Sequence, residues 1–255
     1  LVKFDVNDKI DEFIKNLYKE YRTNSHIEGL LSQILYVENI PNELLSKYFA
    51  RVYTANKFHY YLNDYLKTGK YQKYHIFIKM MYEGLRLQSL KEPKEHIDFF
   101  RGTKLSNLEF EQLKEHKNKN RNGFPSSIVY SRTFLSFSKS KEVALNFALD
   151  DEYYDKNKMK RVLFVLKADK LDNKYLNTYA DLKDLSIYSY EQEVLIFPFS
   201  CFEISKITNK KYFWKNCVEI EMNYLSKYDK KLKESLRVSD GYRNNFIPIS
   251  NFKNF

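Results

Sequence analysis

An α+β fold is what the sequence predicts, with helices gathered ahead of a mixed, mainly antiparallel β core. Apolar residues recur at a helical period through the first ninety positions, whereas from Ile97 onward short apolar runs with period two take over. No repeat, low-complexity tract or Gly/Ser/Pro linker divides the two stretches, and six glycines with five prolines leave little material for one. The boundaries that follow are a helical lobe at 1–95, a β-rich core at 96–225 and a helical or irregular extension at 226–255. Together they read as one compact domain, the helical lobe packing on the sheet as one wall of a cleft.

The elements can be justified in order. Ile10, Phe13, Ile14, Leu17 and Tyr21 make one stripe of a helix over 8–22, and Ile27, Leu30, Leu31, Ile34 and Leu35 make the next. Pro41 suits the first turn of a helix carrying Leu44, Leu45, Tyr48 and Phe49, while Gly69 suits the end of the helix running from Tyr60 to Leu66. Residues 71–90 read as one further helix. The apolar runs at 97–101, 128–138, 161–167, 191–198, 201–207 and 217–223 read as strands. Between them lie a helix around Leu105–Lys117, a turn at 120–125 and a helix at Glu142–Leu149 with Ser140 as its N-cap.

Composition narrows the function. The 43 Lys and Arg residues exceed the 33 Asp and Glu residues, giving a formal charge of +10 that favours acidic partners such as nucleotides. The 22 tyrosines and 20 phenylalanines make the core and any pocket aromatic. There is no apolar run of about 18 residues to span a membrane, and the residues from Leu1 onward do not read as a charged-then-apolar secretory leader. Two cysteines, Cys201 and Cys217, make a disulfide framework unexpected and favour a reducing compartment. Neither G-x-G-x-x-G nor G-x-x-x-x-G-K-[ST] occurs, which argues against a Rossmann site or a P-loop, and His and Cys show no metal-ligand spacing.

Three short stretches carry the chemistry. Phe99-Phe100-Arg101-Gly102-Thr103 sets a fixed cation in an apolar run. Phe134-Leu135-Ser136-Phe137-Ser138 sets two hydroxyls on one strand face. Tyr190-Glu191-Gln192-Glu193-Val194-Leu195-Ile196-Phe197-Pro198 leads two carboxylates into a strand buried on both sides, and in an extended chain Glu191 and Glu193 share a face. This ordered set, Arg, then Ser-x-Ser, then Glu-x-Glu, resembles the arginine–serine–glutamate class of mono-ADP-ribosyltransferases. The continuation Ser140–Ala148 and the later Phe202-Glu203-Ile204 look like its eukaryotic-type branch. Tyr53-Thr54 with Leu62-Asn63 and Leu66 is similar to the helical segment covering the nucleotide there. The low cysteine count departs from vertebrate-type extracellular members.

The resemblance implies an ADP-ribosyltransferase-like fold with a nucleotide cleft, and an enzyme that cleaves NAD, its co-substrate, and passes ADP-ribose to a protein side chain without a metal. It gives Glu193 the developing ribosyl cation, Glu191 the incoming nucleophile with arginine as target, Arg101 the phosphates, Gly102 a close backbone approach to the nicotinamide amide, Ser136 the nicotinamide ribose and Phe147 a stacking role on nicotinamide. Two such close acids disfavour each other's ionised form, which is expected to raise the pKa of one of them. The loop Ser186–Tyr190 would read the target protein. An NAD glycohydrolase with water as acceptor and a non-catalytic basic binding module are the other readings. Nucleic acid is not the expected partner; the residues favour a reducing compartment and leave the setting open between an endogenous regulator and a secreted effector or toxin acting in a host cytoplasm.

Overall fold

Five helices form where apolar residues recur at a helical period: α1 Asn7–Tyr21, α2 Ser25–Leu35, α3 Asn42–Thr54, α4 Phe58–Thr68 and α5 His75–Ser89. The computed structural model describes residues 7–35, 41–55, 58–69, 73–89, 98–118, 127–152, 154–167, 179–225 and 247–248. The chain divides into two units, one made of Leu1–Glu92 with Ala180–Tyr190 and the other of Pro93–Tyr179 with Glu191–Phe255.

In the first unit the apolar stripes close on an aromatic core. Phe49, Phe58, Tyr74 and Phe77 are buried, with Phe77 in ring contact at 4.8 Å with both Phe49 and Phe58. Each such phenylalanine contributes about 2–3 kcal/mol of burial, and two of the polar tips that enter are bonded to one another, Tyr21 OH to Tyr74 OH at 2.7 Å. Gly69, with φ 72°, ends α4 where the sequence predicts a stop. Pro41 lies just ahead of α3 rather than in its first turn, and its carbonyl accepts from the Leu45 N–H at 3.0 Å. The likeness over α3 and α4 falls on buried positions: Asn63 Nδ2 donates to the Tyr53 hydroxyl at 3.3 Å, with Leu62 and Leu66 buried beside it.

The second unit is built on strands β1 Phe99–Ser106, β2 Ile128–Tyr130, β3 Leu135–Ser138, β4 Met159–Lys167, β5 Tyr179–Asp181, β6 Glu193–Ile196, β7 Cys201–Tyr212, β8 Lys215–Leu225 and β9 Ile247–Pro248. They follow the order β5-β6-β3-β1-β4-β8-β7-β2-β9, and β5 enters this unit through Tyr179. Two described pairings, β4 with β8 and β2 with β9, are parallel; the other registered ones are antiparallel. The fold is α+β, as the two periodicities predict.

Helix α6, Asn107–Asn118, starts with reciprocal bonds between Ser106 and Glu109 that satisfy two free N–H groups of its first turn. Helix α7, Lys141–Leu149, begins at the predicted cap, Ser140 Oγ accepting from the Val143 N–H at 3.3 Å. It sets Ala144, Leu145, Ala148 and Leu149 on Leu163, Val165 and Cys217. Phe99, Phe137, Phe164, Val194, Ile196 and Phe202 belong to a second apolar cluster, which strand alternation places on the opposite face of the sheet.

Several sequence-derived bounds need correcting. The run 128–138 is two strands with different partners, β2 on β7 and β3 on β6 and β1. Ser131 separates them, its hydroxyl donating to the Thr133 carbonyl and accepting from the Thr133 N–H. β7 and β8 reach far past their apolar stretches to a two-residue turn at Phe213-Trp214, where φ is 47° and 67°. Aromatic residues in that left-handed region cost about 1–2 kcal/mol each. The predicted turn at 120–125 lies outside the described residues, as does nearly all of 226–255.

Candidate active site

Three adjacent strands, β6, β3 and β1, carry the three motifs side by side. In the ladder between β3 and β6, Ser136 faces Leu195 and Ser138 faces Glu193. The Lys139 N–H donates to the Gln192 carbonyl at 3.1 Å, which makes 139 and 192 a hydrogen-bonded pair. By alternation, 138 with 193 and 136 with 195 are the non-bonded pairs, in which facing side chains approach most closely. Ser136, Ser138 and Glu193 thus share one face of the sheet, and Glu193 is buried, at 7% exposure.

The same alternation turns the Ser136 carbonyl toward β1. There Arg101 Nη1 donates to it at 2.8 Å. β1 and β3 are in register at Phe100 opposite Ser138, and one residue farther along β1 the half-buried Arg101 supplies by its side chain a bond that a ladder would have made by main chain. The guanidinium is therefore anchored through one nitrogen to the serine strand. A planar fork held in this way has fixed directions for its other donors.

Gly102 has a packing reason that the sequence did not show. A Cβ built there would lie 1.7 Å from the Ala144 carbonyl oxygen and 2.7 Å from the Ala148 nitrogen, so α7 rests directly on β1 because this side chain is missing. Phe147, on the same helix, is 54% exposed and stands outside the core.

The two glutamates are not mounted as the sequence predicts. Glu191 ends a 3-10 turn, Ser189–Glu191, Gln192 takes the left-handed φ of 48°, and β6 starts only at Glu193. The extended alternation that would put both acids on one strand face is interrupted by that single residue. What ties the turn to the sheet is Ser138. Its hydroxyl donates to the Glu191 carbonyl at 2.6 Å and accepts from the Ser140 N–H at 2.9 Å, joining the glutamate turn, the serine strand and the start of α7. The Ser-x-Ser spacing was the available signal for this role; Gln192 left none, since glutamine is no usual left-handed residue.

Burial first, and the charge of Glu193 second, push the Glu191 carboxyl up to about 7 from an ordinary 4.5. Cys201 and Cys217 are free, and burial pushes their thiols to about 11 and about 12, so neither offers a thiolate at neutral pH. In the loop ahead of Glu191, Tyr190 is 70% exposed and its ring meets that of half-buried Tyr188 edge-on at 6.0 Å. No described helix is long and apolar enough to cross a membrane.

No protein-family model matches the chain, and no curated protein does. Solved structures do. The chain is similar to the ADP-ribosyltransferase Vis in complex with M6 inhibitor, at 19% identity over 88% of each chain with a TM-score of 0.51. Vis, a toxin of Vibrio splendidus, is matched also in complex with agmatine, at 20% identity over 88% of each chain with a TM-score of 0.50. Plx2a, an ADP-ribosyltransferase toxin from Paenibacillus larvae, is matched at 16% identity over 85% of this chain and 96% of that one, again with a TM-score of 0.50. The chain has the fold of these ADP-ribosyltransferases.

Proposed function

We propose that this chain is a mono-ADP-ribosyltransferase that cleaves NAD between nicotinamide and ribose and passes ADP-ribose to an arginine of a target protein. The observation that carries the reading is the adjacency of β6, β3 and β1, which sets Glu193, the serines and Arg101 on neighbouring strands although they are far apart in sequence. A guanidinium, hydroxyls and carboxylates are a donor and acceptor set suited to a ligand with a pyrophosphate and two riboses. The toxins that share the fold support the reaction class and a role as toxin or effector.

In the first half of the reaction the bond between ribose C1′ and the nicotinamide nitrogen breaks, its electron pair leaving with neutral nicotinamide, and positive charge grows on the sugar. Glu193, buried and fixed at the start of β6, stabilises that charge more than the ground state. Ser136 holds the ribose hydroxyl side and Arg101 the phosphates, with Gly102 and Phe147 at the nicotinamide. In the second half a guanidinium nitrogen of the target bonds to C1′ and gives its proton to Glu191. A carboxyl pushed to about 7 is suited to general-base work near neutral pH. Vis binds agmatine, itself a guanidinium compound, which supports arginine as acceptor. Tyr190, exposed and next to Glu191 in the chain, is placed to touch the target.

Glu191→Gln tests the division of labour. Transfer should fall by ~100-fold or more while much of the nicotinamide release persists, because water needs less positioning than a guanidinium. Wild-type transfer should rise with pH through about 7 as Glu191 ionises, and that limb should vanish in the variant. The stability consequence has a definite sign. With a folded pKa of about 7 above the ordinary 4.5, the protonated carboxyl's contribution is complete below about 4.5 and lost as pH rises through 7. Denaturation midpoints above pH 7 should therefore be higher in Glu191→Gln than in wild type. The assay pairs nicotinamide release without target against labelled ADP-ribose incorporation with a cell lysate and mass spectrometry of modified residues. Release without any incorporation in wild type would make the chain an NAD glycohydrolase; modification of residues other than arginine would remove the acceptor assignment.

A further inference from the structure

The turn between β7 and β8 breaks its own sequence rule. Tyr212 pairs with Lys215, leaving Phe213 and Trp214 as a two-residue loop with positive φ at both positions. Such turns are made by Asn-Gly or similar pairs, because bulky side chains are strained there. Two aromatic residues occupy the turn instead, and both are turned out to solvent, Phe213 at 73% and Trp214 at 97% exposure. Strain kept at a position where both aromatic side chains are largely exposed points to a use outside the fold.

The surroundings say what kind of surface the tip fits. From Asn209 to Asn216 there are three lysines and no acid. Lys210 and Lys211 are exposed and Lys215 is bonded to Asp151, while exposed Lys156 and Trp214 border one hollow. Lysine is depleted where proteins dock on each other, whereas aromatic tips flanked by lysine suit the interface of an anionic bilayer. The tip is also a projecting turn. A protein partner would have to offer a matching pocket, while lipid headgroups yield around it.

We propose that the Phe213-Trp214 tip is a peripheral membrane anchor that inserts shallowly into anionic lipid, with Lys156, Lys210 and Lys211 against the headgroups. This holds whether or not the chain transfers ADP-ribose. Because Trp214 is the single tryptophan of the chain, its emission reports on the tip alone.

With vesicles of phosphatidylcholine containing phosphatidylserine, the emission should shift to the blue and become shielded from an aqueous quencher; with phosphatidylcholine alone it should do neither. Replacing the pair by the turn's preferred residues, Phe213→Asn with Trp214→Gly, should lower co-sedimentation with the anionic vesicles at least ~10-fold while raising the thermal midpoint by roughly 4 °C as strain is relieved. Lys210→Glu with Lys211→Glu should lower binding roughly 10-fold and leave the midpoint near that of wild type. Absence of vesicle binding by wild type would overturn the proposal and leave the tip to a protein partner. So would a tryptophan that stays open to quencher on bound protein, or an Asn-Gly variant that sediments like wild type.

Discussion

Glu193→Gln is expected to lower both nicotinamide release and ADP-ribose transfer by at least ~100-fold, the usual cost of losing a group aimed at transition-state charge. The substitution keeps size and hydrogen-bonding ability, so the close pair with Ser138 and the four-residue strand β6 have no steric reason to change. Only the charge is removed. NAD affinity by calorimetry should stay near that of wild type, since the interaction at stake develops as the glycosidic bond opens. Turnover within a few-fold of wild type would dismiss Glu193 as the charge partner and, with it, the site proposed on β6, β3 and β1. The contrast with Glu191→Gln matters as much: one variant should lose both activities and the other mainly transfer. Equal losses would mean that the carboxylates act as a coupled unit.

Gly102→Ala should be among the most damaging single-methyl substitutions in the chain. The added carbon would sit 1.7 Å from the Ala144 carbonyl oxygen, a backbone atom that cannot rotate away. Relief would require α7 to lift from β1, drawing Leu145, Ala148 and Leu149 off Leu163 and Val165. A loss of ~3 kcal/mol or more is expected, the range of severe overpacking, read from denaturant or thermal midpoints. Gly29→Ala is the internal control. A carbon there meets nothing within 4 Å, and the position lies on the exposed side of α2. That change should stabilise by about 0.5–1 kcal/mol through helix propensity. Equal midpoints for the two variants would refute the close packing of α7 on β1.

Much of this was legible in the residues. The change of period near residue 97 separates helices from strands because core-facing side chains must repeat every 3.6 residues on a helix and every two on a strand. The ordered motifs on β1, β3 and β6 were visible because their chemistry needs particular residue types. Other features were hidden for physical reasons. The break at Ser131 is made by side-chain bonds that a period of two does not report, although the polar Ser131-Arg132-Thr133 interrupts the run. The left-handed Gln192 depends on tertiary context. The requirement at Gly102 comes from a helix some forty residues later, and a lone glycine in a strand does not say what approaches it.

The hydrogen bond from the Ile187 N–H to Thr54 Oγ1, 3.1 Å long, ties residues 133 positions apart within one unit. Chains leave the ribosome at about 5–20 residues per second from the N-terminus, so α1 to α5 emerge early, yet their unit is complete only after Tyr190 has been made. By then β1, β3 and β4 have already emerged. The helical unit must wait, partly finished, while β1 to β4 are synthesised, and such long-range closures slow folding. Removing the helices from a gene would take away no acid, serine or arginine of the proposed site. It would strand Ala180–Tyr190, the stretch leading directly into Glu191, without the structure in which it folds. Recombination at the boundary near residue 92 would therefore fail to move either unit as a self-contained part.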